Sequence, residues 1–143
     1  MIETIQDAII TQLETISGVG SVGAWQGDVN DIEEILQIPQ KLPALHVIYH
    51  GAGFADKKTL GAAISADANM RWMIISVNKN LKSRAAGAVS SYTMIEAVRN
   101  KLMGYRISPY HGFLWPLQED LLTALGGLQV YGLIYRMNTS VTA

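Results

Sequence analysis

Ile2, Ile5, Ile9, Leu13 and Ile16 fall at spacings of three and four, with Glu3, Gln6, Asp7 and Gln12 between them. At 3.6 residues per turn these aliphatics form one stripe, so the chain opens as an amphipathic helix with a single apolar face. Each large aliphatic contributes about 1.5–3 kcal/mol when fully buried, so the stripe anchors the helix to something flat. Gly18 and Gly20 end it.

The flat surface is legible downstream. Residues 19–25 read as a short strand. Residues 28–36 (DVNDIEEIL) are acidic at the front, as a helix N-terminus prefers, and allow one or two helical turns before Pro39 and Pro43. In residues 44–50 (ALHVIYH) the alternation is strict: Leu45, Val47 and Tyr49 point one way, His46, Ile48 and His50 the other. Residues 51–68 are small and polar and read as a long loop, an arm of the kind that carries function in compact domains. Residues 69–77 (NMRWMIISV) form a strong strand. A second helix is expected over 83–103, with Val89, Tyr92, Ile95, Val98 and Leu102 as its buried stripe and Gly104 as its C-cap. Residues 114–122 suggest an interrupted strand, and 128–137 a firm one. The fold class is therefore α+β: one domain, residues 1–143, in the order α-β-(α)-β-β-α-β-β. Two long helices lie on one face of a largely antiparallel sheet of four to five strands.

Only 16% of residues are charged, below the ~25% usual for soluble domains. Such a chain has a large core or leaves neutral surface free for partners. Net charge is −1 and no Lys/Arg run occurs, which argues against duplex nucleic-acid binding. No cysteine is present, so disulfides, thiolate metal sites and a Cys nucleophile are excluded. The N-terminus lacks a basic start and an unbroken apolar run, and no window approaches the roughly 20 apolar residues of a bilayer span. A cytosolic protein is expected.

Three constellations invite a chemical reading. Gly18-Val19-Gly20-Ser21-Val22-Gly23 spells G-x-G-x-x-G, but it leaves a helix and opens a strand, the reverse of a dinucleotide fingerprint. A helix C-terminus, rich in carbonyls, repels phosphate. His46 and His50 form H-x3-H, yet on a strand four residues span ~13 Å, too far for a shared ion. They read better as two rings on the less buried face or at a subunit contact. Glu33-Glu34 and Glu119-Asp120 are adjacent pairs whose side chains diverge, unlike a general acid and base sharing a cleft. No serine sits in a G-x-S-x-G elbow. No catalytic, metal or cofactor site emerges.

The aromatics say more. Trp72 and Tyr131 suit a core. Residues 105–117 (YRISPYHGFLWPL) pack four aromatics, a histidine and two prolines into what reads as a loop, either an interface or a cover for the core.

Taken in order, several passages resemble one family. They are the opening helix IETIQDAIITQL, the strand running into WQGDVNDIE, PALHVIYHGAGF with its small polar loop, WMIISVNKNLKSRAAG, YTMIEAVRNKLMGY and the closing LQVYGLIY. The chain resembles the tail terminator proteins of Mu-like long-tailed phages, found also in prophages and phage-tail-derived particles. The resemblance implies a structural, non-enzymatic virion tail protein, made in the host cytoplasm. It implies a homo-oligomeric ring, a hexamer, that caps the finished tail tube, stops its polymerisation and offers the head-joining surface. Its partners would be itself, the tail tube protein and a head–tail connector protein, with no nucleic-acid sequence recognition, no membrane and no cofactor. From sequence character, the candidate contact residues are Phe54, Lys57 and Lys58 on the arm, with Arg106, Tyr110, Phe113 and Trp115 in the aromatic segment. Two other readings stay open: a small enzyme or ligand- or metal-binding protein using the His46/His50 face, and a monomeric adaptor.

Overall fold

The computed structural model describes residues 1–25, 34, 37, 40–55, 58–60, 63–79, 91–107, 112–125 and 127–142; the expected turns at 28–36 fall almost wholly outside them. In chain order the elements are α1 (Ile2–Glu14), β1 (Ser21–Ala24), β2 (Ala44–Phe54), β3 (Lys58–Leu60), β4 (Ala63–Lys79), α2 (Ser91–Leu102), β5 (Leu114–Leu125) and β6 (Leu128–Thr142). The sheet runs β1-β2-β4-β6-β5, with short β3 pairing β4 off this path. Among the described residues only β1–β2 is parallel; the other ladders are antiparallel.

The α1 stripe behaves as its spacing demands. Ile5, Ile9 and Leu13 are fully buried and Ile16 nearly so, while Ile2 stands exposed on the first turn. Together with α2 they cover one face, the helix face, where Leu45, Val47, Trp72, Ile74, Leu133 and Tyr135 meet them in one cluster. On the far face lies a second, smaller cluster built from Ala44, Ile48, Met73, Ile75, Val77 and Val130. The alternation read in 44–50 is thus correct, but both of its faces bury apolar groups.

Two expectations need correction. Tyr92 is 69% exposed, and the buried row of α2 is Ser91, Met94, Ile95, Val98 and Leu102. Ile95, Val98 and Leu102 are buried as expected, and Val89 and the expected start at 83–90 lie outside the described residues. In place of Tyr92 it is Ser91 that faces inward, its hydroxyl donating to the Gln129 side-chain oxygen at 3.0 Å. Residues 51–68 are largely strand rather than loop: β2 continues to Phe54, and β4 begins at Ala63. Their small side chains are weak strand formers, but backbone pairing with β4 and β6 overrides local preference. Gly51, at φ +120°, takes the irregularity between Tyr49 and Gly51 that lets the ladder go on.

Candidate interaction surface

The outer strand β5 is interrupted twice, between Pro116 and Gln118 and between Leu121 and Thr123. Such irregularities blunt an edge against indiscriminate pairing. The strand nevertheless presents large apolar side chains to solvent: Trp115, Leu117 and Leu121 are each about half exposed, as is Phe113 just before it. Isolated exposed apolar residues are ordinary, but these gather along one edge strand, Trp115 on the far face opposite Arg136 and Leu121 on the helix face opposite Tyr131.

Phe113 is held by its surroundings. It bridges Arg106, whose guanidinium carbon lies 4.2 Å from the ring centroid. Gly112 donates its N–H to the Asn138 carbonyl at 2.8 Å, and a Cβ there would lie 2.6 Å from that oxygen. Gly112, Phe113, Trp115, Arg136 and Asn138 line a cleft of about 230 Å³. Asn138 also borders a shallow cleft of about 630 Å³ on the arm, where Phe54 stands 64% exposed. Phe54, Arg106, Phe113 and Trp115 are therefore brought to adjoining surfaces. Lys57 and Tyr110 lie outside the described residues, and Lys58 is described in its backbone alone. The aromatic segment is not one loop, since β5 begins at Leu114.

Two residues of this surface carry no mark in the linear sequence. Arg71 on β4 and Arg136 on β6 are direct cross-strand partners, and Trp115 opposes Arg136 from β5. Their neighbours Trp72 and Tyr135 point into the helix-side core, so alternation places both arginines on the far face. Only the ladder register, which joins residues far apart in the chain, reveals the pair.

Elsewhere the chemistry is structural. Arg99 on α2 forms a two-point ion pair with Glu119 on β5, its Nε donating to Oε2 at 2.7 Å and its terminal nitrogen to Oε1. That hydrogen bond raises the Arg99 pKa, against burial, and the pair ties the second helix to the outer strand. Tyr135 beneath is fully buried; burial first, then the Glu119 carboxylate, push its phenol well above the ordinary range, with Arg99 offsetting part. His46 packs edge-on against Trp25 at 5.9 Å, and its Nε2 lies 2.8 Å from Gln40 Oε1. Burial lowers its pKa. As the amide oxygen only accepts, Nε2 is the donor in this contact. His50 is exposed, and the two histidines share no site; no metal-ligating cluster occurs among the described residues. At the G-x-G-x-x-G run Gly20 serves packing, since a Cβ on it would lie 2.5 Å from the Lys41 carbonyl oxygen, whereas Gly23 faces open space and Gly18 turns the chain at φ 85°.

Among the described residues two helices cover one face of a single sheet, whose outer edge exposes aromatic and arginine side chains and holds no metal-ligating cluster. The phage tail terminator family model matches residues 5–143, nearly the whole chain, and the protein belongs to that family. It is accordingly a structural protein of the virion tail. No curated protein matches it. Among solved structures, a chain of one described as "Virion of native gene transfer agent (GTA) particle" superposes with a TM-score of 0.56 at 17% identity, covering 98% of this chain and 97% of that one. At that identity the likeness speaks for the fold.

Proposed function

We propose that the protein forms a homo-oligomeric ring, a hexamer, on the end of the completed tail tube. There it stops tube polymerisation and presents the surface to which the head joins. The observation that carries this reading is the family match over residues 5–143. The row of exposed apolar groups on β5 supports it, because a ring requires one patch on each subunit to bind a different patch on the next. The tail tube protein and a head–tail connector protein are the other partners, and the arm bearing Phe54, Lys57 and Lys58 is the part that reaches toward the tube. Arg106, Tyr110, Phe113 and Trp115 belong to the contact between subunits. The protein works by binding and catalyses no reaction, and the His46/His50 face supplies packing.

A stop codon at Trp25 in the source element, followed by electron microscopy of the particles, tests the role. Overlong tails of scattered length without heads are expected. Tails of normal length would refute it.

A further inference from the structure

Charge is divided sharply along the chain. The first 40 residues hold seven carboxylates and no Lys or Arg; the remainder holds all eleven cations against five carboxylates. The two portions stand at −7 and +6, a separation that the net charge of −1 conceals.

Both excesses surface as unneutralised like-charge pairs. On α1, Glu3, Asp7 and Glu14 are exposed along one line of the helix. Glu3 and Asp7, four residues apart on the helix, have Cβ atoms about 5–6 Å apart, and their like charges repel. Across the sheet, Arg71 and Arg136 sit directly opposite one another on adjacent strands, again about 5 Å apart at Cβ and again repelling. On its other side Arg71 faces Gly51, which has no side chain to offer. Among the described residues none of these acids or arginines enters an ion pair. The apolar groups match in the same way: Trp115 and Phe113 flank the arginines, and Ile2, 41% exposed, precedes Glu3.

The two patches cannot meet within one molecule, because α1 packs on the helix face and the arginines stand on the far face. They can meet between molecules. Building on the ring reading, we propose that the Arg71–Arg136–Trp115 surface, rimmed by Arg106 and Phe113, docks α1 of a second copy. Glu3 and Asp7 lie against the two guanidiniums, and Ile2 against Trp115. Each copy uses one patch as donor and the other as receiver, so the contact repeats head to tail and closes when the rotation allows. A pairing of this kind supplies register and partner choice, and it weakens with salt.

Charge reversal tests it in the intact particle. Arg71→Glu/Arg136→Glu and, separately, Glu3→Lys/Asp7→Lys are introduced, then all four together, and terminator copies per purified tail are counted by quantitative mass spectrometry. Each pair alone is expected to lower incorporation by about tenfold or more, and the combination to restore it to within about twofold of the original. Unchanged incorporation in either pair overturns the contact. So does failure of the combination to restore: loss in the arginine variant alone would assign that face to another anionic partner, the tube protein or the nucleic acid. Arg71→Gln and Glu3→Gln, mild changes at exposed positions, guard against misfolding, and normal incorporation of both overturns the proposal whatever the reversals do. Overlong tails from the stop at Trp25 with normal charge-reversed particles would sink this contact and leave the ring standing; normal tails from the stop would sink the ring.

Discussion

Replacing Tyr135 by Phe is expected to stabilise the protein. The Tyr135 side chain is fully buried in the helix-side cluster, cross-strand from Trp72, and its hydroxyl has no hydrogen-bond partner among the described residues. A buried hydroxyl stripped of water and left unpaired costs about 1–2 kcal/mol, while the ring, which carries the packing, is kept in phenylalanine. For a chain of this size 1 kcal/mol moves the thermal midpoint by roughly 2–4 °C, so a rise of about 3 °C is expected by circular dichroism at pH 7. The difference should widen in alkali. Burial holds the folded phenol neutral above its ordinary 10.0, whereas the unfolded tyrosine ionises there. Above pH 10 the unfolded state therefore binds fewer protons than the folded one. Stability is lost as pH rises past that point, by up to about 1.4 kcal/mol per pH unit. Tyr135→Phe is spared this loss. A lowered midpoint at pH 7 would mean the hydroxyl is satisfied, and an equal gap at pH 7 and about pH 11 would refute the linkage.

Three further outcomes follow from the geometry. Gly20→Ala places a carbon 2.5 Å from the Lys41 carbonyl oxygen, where both partners are backbone, and urea unfolding should show a loss of about 2 kcal/mol or more. Phe113→Ala with Trp115→Ala should leave the thermal midpoint within about 2 °C, since both are half exposed, while tails lengthen in the particle assay. Arg99→Ala removes a two-point pair that is partly open to solvent, so it should cost about 1 kcal/mol or less and cost less still in high salt.

What the sequence reveals depends on whether a feature is local. The α1 stripe and the alternation of 44–50 are written in neighbouring residues, and both reappear with their buried faces in place. The stripe of α2 is ambiguous by one position, because Tyr92 and Ser91 both lie at helical spacing from Ile95 and Leu102; the contact with Gln129, on a distant strand, decides it. The arm reads as loop for the same reason. Nothing near Gly51, Gly53 or Ser65 favours a strand until Asn69 and Thr142 stand beside them in the ladder. Within the candidate surface, Phe113 and Trp115 announce themselves as aromatics beside prolines. Arg71 and Arg136 are single cations in apolar runs, and they become a pair only through register.

The place of β6 has a consequence for how the chain is made. It lies in the middle of the sheet, between β4 and β5, yet it is the last of the described strands to leave the ribosome. Lys79 at the end of β4 waits for Leu128, and Ser65 near its start waits for Thr142. Until then β4 and β5 each show an unpaired edge in a crowded cell, the condition under which strands find the wrong neighbour. The central ladder is also non-local, which slows its closure. Vectorial synthesis therefore delays completion of the sheet until its C-terminal strand is released, and shortened translation products that lack β6 are exposed to aggregation and proteolysis.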